Sequence, residues 1–472
     1  MSPRRYVAAG GYIRNVHTTL VAAAAQRRRS LAALLDTPAL LPAGRAPGRN
    51  YPANPYPFRA SSHFLYFVGE ALEGAALWLD GDRALLLLDP ADPDATLWHG
   101  PVPSWHEIAG RTGLEVAGFD ALPSLVRGRS VQTVPPPSRA LAEEIGRLLQ
   151  RDPARLGSEI DAGLLDAIVS LRLVHDGAAL AELRAAAQVS VRAHQVGMRA
   201  TRDGVGELAI CAAMEHEIAR AGCALAYGSI VTVHGEVLHN HRHDQTARTG
   251  DLLLADVGAE SATGYASDIT RTWPVSGTFS ATQRELYTLV LTMQQAAIAH
   301  ARPGTRYRDV HLAAARTLVD GLVQLKILQG DVDALVEDGA HALFFPHGVG
   351  HLLGLDVHDM EDLGDRAGYA TGRTRSAQFG LSYLRLDRDL VPGMVVTIEP
   401  GFYQVPSLLA DPGRVGIDDR PLNRTELAKF SDVRGIRIED DVLITEDGSD
   451  VLTGALAKAP SDVEQLCTGD AG

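Results

Sequence analysis

Four stretches of this chain end or interrupt an apolar, strand-like run with a carboxylate or an imidazole, and such groups are costly to bury unpaired. The first runs from Leu252-Leu253-Leu254-Ala255 into Asp256 and on to Asp268 through the segment DVGAESATGYASD. It reads as a buried strand, a glycine-containing turn and a returning strand. If both aspartates face one way they repel each other unless a hard cation sits between them. Taken alone, the pattern fits a hairpin with two solvated acids as well as a paired-carboxylate site.

Three later stretches tip that balance. His347-Gly-Val-Gly-His351 extends through Gly354 to His358 and Asp359. Val395, Val396 and Ile398 lead to Glu399. Ile436 and Ile438 alternate with Arg437 and Glu439, so the two charged side chains share a strand face. Asp256, Asp268, Glu399 and Glu439 together bring four negative charges, which two divalent cations cancel, and His351 adds a neutral nitrogen. That donor set describes a two-metal hydrolytic centre. His239, His241 and His243 also alternate, as a metal cluster on one strand face would, but the ligands above already suffice, and His241 and His243 read as surface or rim residues. Glu215-His216-Glu217 lacks the pair of histidines four apart that a zinc helix needs. Gly348, Gly350 and Gly354 have the wrong spacing for a dinucleotide fingerprint, and no Gly-x-Ser-x-Gly elbow or phosphate loop is found.

In these contexts, the order Asp, Asp, His, Glu, Glu resembles the metallopeptidases of the pita-bread fold, which include methionine aminopeptidase, aminopeptidase P and prolidase. DITRTWPVSG at 268–277, HGVGHLLGLDVHD at 347–359, IEPGFY at 398–403 and RIEDDVLIT at 437–445 are most similar to aminopeptidase P and prolidase. The resemblance covers essentially the whole chain. It implies an α/β (α+β) protein with a C-terminal pita-bread catalytic domain over 174–472 and a smaller mixed α/β N-terminal domain over 1–173. The interval between the two aspartates is one residue longer than the family's usual hairpin, and a longer turn around Ser261–Gly264 is expected to absorb it.

The resemblance also implies roles. Asp268 and Glu439 bridge two divalent ions, Asp256 completes one, and His351 with Glu399 completes the other. Manganese suits this oxygen-rich set, and cobalt or zinc can substitute. Glu399 doubles as the proton shuttle. His239 and His358 hold the substrate and stabilise the developing oxyanion. His347 shapes the site, and Tyr403 is a supporting or proton-relay phenol counted among the substrate-binding residues. Arg437 fixes either a substrate carboxylate or an inner acid. The activity implied is hydrolysis of the first residue from peptides with proline second. The alternative is an Xaa-Pro dipeptidase, because Arg385 matches an arginine that prolidases use for the substrate carboxylate. Some relatives keep the fold without metals, as binding modules or as creatinase, but this chain has all five ligands. A homodimer or homotetramer is expected by the same resemblance.

Composition sets the remaining bounds. With 472 residues the chain is too long for one ordinary core, so two domains are expected. Its 44 basic against 58 acidic residues give a net charge of −14, which disfavours nucleic acid and acidic membranes as partners. Cys211, Cys223 and Cys467 have no metal spacing and form no disulfide framework, as in a reducing compartment. No apolar run is long enough to span a bilayer, and a cytoplasmic location is expected. The first 35 residues hold arginines and no acid. A transit peptide has this composition, but Thr18–Leu35 reads better as a domain helix with Leu31, Leu34 and Leu35 on its apolar side, after a loose tail of a dozen residues. Arg59–Gly69 reads as a strand region, Asp80-Gly81-Asp82-Arg83 as a hairpin turn, and 360–390 as a mobile loop, lid or subunit contact.

Overall fold

The computed structural model describes residues 19–90, 94–417 and 421–469. It divides into two compact units, Met1–Ala179 and Leu180–Gly472. The tail expected over the first dozen residues lies outside the described residues.

The first unit is built on a five-stranded sheet of order β4-β3-β2-β1-β5, with β1 (Ala39–Pro42), β2 (Ala76–Asp80), β3 (Arg83–Leu87), β4 (Glu115–Ala117) and β5 (Gln132–Thr133). The β2–β3 hairpin forms at the expected turn, where Asp80 pairs with Arg83 and Gly81 takes a positive φ. Leu40, Trp78, Leu85, Leu87, Leu122 and Ile145 fill one side of this sheet.

Two expectations fail here. The segment after Arg59 is a helix, Ser62–Val68, rather than a strand. Its seven residues are all buried, so hydrophobicity carried no period to separate the two, and Gly69 ends it in a left-handed conformation. The first helix, 19–32, buries Leu20, Ala24 and Leu31, but Leu34 is 53% exposed. Arg27 and Arg28 take the buried side instead. Arg27 pairs with Asp176 at 2.8 Å and lies over the Tyr66 ring, while Arg28 Nη1 donates to the Phe67 carbonyl at 2.6 Å. Long aliphatic stems let these charges pack as apolar groups once each head has an acceptor.

The second unit carries β6 (Ala224–Leu225), β7 (Ile230–Thr232), β8 (Leu252–Asp256), β9 (Ala259–Glu260), β10 (Thr270–Pro274), β11 (Val395–Ile398), β12 (Gly401–Tyr403), β13 (Gly435–Arg437), β14 (Asp440–Ile444) and β15 (Ser449–Val451). Their ladders are antiparallel: β10-β8-β7, β11-β14-β15, β12-β13 and β6-β9. The long helices are Gly177–Ala200, Glu207–Arg220, Ala281–His300 and Tyr307–Gln324.

Three backbone registers bring the distant acids together. Asp256 closes β8 opposite Thr270, which leaves Asp268 two residues ahead of the ladder. Between the two aspartates the chain turns at Ser261–Gly264, where Gly264, at positive φ, donates its N–H to the Ser261 carbonyl. Glu439 N–H donates to the Thr270 carbonyl at 3.0 Å, which sets Glu439 beside β10. Residues 349–353 run beside β11, with Thr397 N–H on the His351 carbonyl and Glu399 N–H on that of Val349. Gly350 makes this approach possible, because a Cβ there would lie 2.1 Å from the Thr397 carbonyl oxygen.

Glu439 and Asp440 are neighbours that face opposite ways. Asp440 is fully buried and accepts from Arg271 at 2.8 Å, Gln294 at 2.6 Å, Lys458 at 2.6 Å and Thr453 at 2.8 Å. Burial alone would raise its carboxyl, but the charges of Arg271 and Lys458 outweigh that and hold it below the usual carboxylate range. Removing one partner of a buried pair leaves a charge uncompensated, so Arg271→Met is expected to cost about 3–5 kcal/mol of stability. Urea denaturation checks this; an unchanged midpoint would mean that Lys458 alone satisfies Asp440.

Candidate metal centre and its cleft

The second unit contains a cleft of about 830 Å³. Asp256, Asp268, His351, Glu399 and Glu439 line it, together with His239, His347, His358, Arg385 and Arg437. Tyr403 does not line the cleft. It is fully buried among Ile230 and Leu254, behind His347 and Arg437.

The tightest grouping is Asp268, His351 and Glu439, whose donor atoms lie within 4.8 Å of one another. His351 Nε2 is 3.4 Å from Asp268 Oδ2 and 3.7 Å from Glu399 Oε1. Burial lowers the His351 pKa, so the ring is neutral; its Nδ1–H donates to the Leu352 carbonyl and the Nε2 lone pair faces the acids. Tyr227 bridges the hairpin acids, its hydroxyl 2.6 Å from Asp256 Oδ1 and 2.5 Å from Asp268 Oδ1. Arg437 Nη2 holds Asp256 Oδ2 at 2.7 Å, and Thr270 donates to Glu439 Oε2 at 2.7 Å.

These acids are poorly satisfied by protein groups alone. Tyr227 has one hydroxyl hydrogen for two carboxylate neighbours. Burial raises Asp256, Asp268, Glu399 and Glu439 above their ordinary values, and the charges of the other acids add to the shift at Asp256, Glu399 and Glu439. Glu399 is pushed up to about 8 despite the opposing charge of Arg437. Four crowded carboxyl groups, one aimed neutral nitrogen and a single balancing arginine fit divalent cations well.

A second set of contacts lies behind the acids. His347 is pushed down to about 3 by burial and by the charge of Arg437, so it is neutral. Its Nδ1–H donates to the Gly348 carbonyl at 2.8 Å, and its Nε2 accepts from the Tyr403 hydroxyl at 2.9 Å. Arg437 Nη1 donates to the same hydroxyl at 3.1 Å. Arg437 thus has an inner acid as its partner, one of the two roles open to it from the sequence.

Residues 360–390 form a wall of the cleft through Glu361, Arg375, Phe379, Tyr383 and Arg385. This wall is tied down rather than loose: Asp387 accepts both Arg306 Nε and Nη2 at 2.6 Å, and Arg373 pairs with Asp389. His239, His241 and His243 lie in an irregular segment, not on a strand. Of these, His239 and His241 reach the cleft, while His243 faces the Ser229 carbonyl.

Sequence reasoning missed Tyr227 and Glu361. Tyr227 lies just ahead of β7, and only the pairing of β7 with β8 brings it to Asp256. Glu361 sat in a stretch whose glycine and arginine content resembled a loop.

A neutral-nitrogen and carboxylate cluster set into antiparallel sheets under long helices is the construction of a metal-dependent hydrolase. Residues 181–446 match the metallopeptidase family M24, and residues 24–130 match the N-terminal domain of aminopeptidase P. The chain belongs to metallopeptidase family M24, with the pita-bread catalytic domain of that family behind an aminopeptidase P N-terminal domain. It is 34% identical to an Xaa-Pro aminopeptidase of Escherichia coli K12 over 430 residues, 87% of this chain and 89% of that one. It is also 34% identical to Xaa-Pro aminopeptidase 2 of Streptomyces coelicolor over 466 residues, 93% and 90% of the two chains. Aminopeptidase PepP of Pseudomonas aeruginosa superposes with a TM-score of 0.78 at 31% identity, covering 95% of this chain and 98% of that one.

Raised carboxyl values carry a sign. A carboxyl group that keeps its proton when folded contributes stability below its unfolded pKa, and that stability is lost as pH rises to the folded value. For Glu399 this window runs from 4.5 to about 8. Metal-free protein is therefore expected to lose thermal stability as pH rises from 4.5 to 8. Saturating divalent cation is expected to flatten the slope and release protons into weakly buffered solution. Unfolding midpoints across pH, with and without manganese, check this.

Proposed function

We propose that this chain is a dinuclear metal-dependent Xaa-Pro aminopeptidase, which removes the first residue from peptides carrying proline second. The observation that carries the reading is the meeting of Asp256, Asp268, His351, Glu399 and Glu439 in one cleft of an M24 chain. In this reading Asp256, Asp268, His351, Glu399 and Glu439 would hold the ions. Manganese is the preferred ion. We extend the reading to a homo-oligomer, a cytoplasmic location and a catalytic domain over 174–472. Among the described residues no helix is long and apolar enough to cross a membrane.

Two divalent ions there would supply positive charge to the scissile carbonyl and acidify a water. Glu399 would accept a proton from the attacking water on a carboxylate oxygen and return it to the leaving nitrogen. His239 and His358 donate to the carbonyl oxygen as it gains charge. His347 is held by Tyr403 and the Gly348 carbonyl, so its ring stays in one orientation at the cleft wall. The charge of Arg437 opposes the rise at Asp256 and so favours the carboxylate form that a metal would take. A bond to proline has no N–H to recognise, so an apolar slot must serve instead. Leu238, Val405 and Leu408 on the cleft lining suit that ring.

A second reading, Xaa-Pro dipeptidase, draws on Arg385, which lines the cleft. Against it, Arg385 already has a carboxylate partner in Glu361 at 2.5 Å.

With added manganese, an Xaa-Pro-Yaa tripeptide is expected to be cleaved between its first two residues, and an Xaa-Pro dipeptide much more slowly. Faster dipeptide cleavage would establish the second reading, and activity on neither would overturn both. Glu399→Gln is expected to lower kcat on the tripeptide by about 10²–10⁴-fold, measured at saturating manganese.

A further inference from the structure

Arg385 and Glu361 stand on the same cleft wall, and Arg385 Nη1 donates to Glu361 Oε2. The same oxygen is 3.2 Å from His358 Nδ1. The two side chains are 41% and 35% exposed, so a substrate in the cleft can reach them. The charge of Arg385 is felt at His239, His347, His351, His358 and Glu399, which places the guanidinium on the reactive side of the cleft.

Neighbouring arginines are committed elsewhere. Arg437 is buried on Asp256, Arg375 pairs with Asp365, and Arg373 pairs with Asp389. Arg385 differs because its acidic partner is itself a cleft residue.

A guanidinium facing a peptide-binding cleft recognises carboxylates. A dipeptide presents one immediately after its second residue, whereas a longer peptide presents a neutral amide at that point. With Glu361 in place the pair has no net charge. An incoming carboxylate must displace Glu361 or lie beside it and be repelled.

We propose that Glu361 is a specificity-determining residue: a resident carboxylate that occupies Arg385 and so selects peptides continuing past proline over Xaa-Pro dipeptides. This rests on the Xaa-Pro aminopeptidase reading of the same cleft. Glu361 acts by excluding a rival anion, and Arg385 is the receptor it masks.

The test compares Ala-Pro with its C-terminal amide, Ala-Pro-NH₂, on manganese-loaded wild type, Glu361→Gln and Glu361→Gln/Arg385→Ala. Because each ratio is taken within one protein, any effect of the substitution on His358 cancels. The ratio of kcat/KM for acid over amide is expected to rise about tenfold in Glu361→Gln, through KM, and to fall back when Arg385 is also removed. If Glu361→Gln turns over too slowly to measure, calorimetric binding of the same two peptides supplies the ratio. An unchanged ratio in Glu361→Gln, or a raised one that survives loss of Arg385, would overturn the inference while leaving the aminopeptidase reading intact. Wild type inert towards Ala-Pro-Ala would instead overturn that reading, and this inference with it.

Discussion

Mutual repulsion among four buried carboxyl groups is the constraint around which the catalytic unit is organised. Asp256, Asp268, Glu399 and Glu439 come from three separate parts of the chain, and Asp256, Glu399 and Glu439 are each more costly to ionise for having the others near. A core of this kind must supply positive charge or protons. Arg437 provides one cation from the protein, and Tyr227 provides one hydrogen. The remaining imbalance suits exchangeable cations, so the same crowding that weakens the metal-free fold favours metal binding. Stability and affinity are here two readings of one electrostatic term.

Beneath that layer lies a second one of opposite character. Asp440 is surrounded by Arg271, Lys458, Gln294 and Thr453 and lacks nothing. Arg271 also donates to the Glu439 carbonyl at 2.6 Å and to that of Thr270 at 3.0 Å. One guanidinium thus fastens the backbone of two strands that carry reactive acids. The fully satisfied network gives the strained one a rigid base, since interiors packed to crystal density shift little.

The candidate ligands could be read from the sequence because each breaks an apolar run that a strand must bury, and Leu252–Ala255 before Asp256 and Val395–Ile398 before Glu399 are such runs. What could not be read were contacts created by pairing alone. Tyr227 acquires its meaning only when β7 lies beside β8. Glu361 acquires its meaning only when the 360–390 wall folds against the cleft. Ser62–Val68 was misjudged because a segment buried on every side has no period to distinguish helix from strand. Leu34 was misjudged because arginine stems, as well as leucines, can line the buried side of a helix.

The opposite facing of Glu439 and Asp440 has a consequence for how chains of this kind can drift in length. The turn at Ser261–Gly264 lies outside the ladder, so it can take an added residue without moving Asp256 from its place opposite Thr270. Between Arg437 and Asp440 there is no such slack. Inserting or deleting one residue there would turn the anion meant for Arg271 toward the cleft and bury the reactive one among partners built for another. Lineages of this fold are therefore free to lengthen the hairpin tip and bound to keep the count across the paired acids, so indels in a family should gather at the first place and avoid the second.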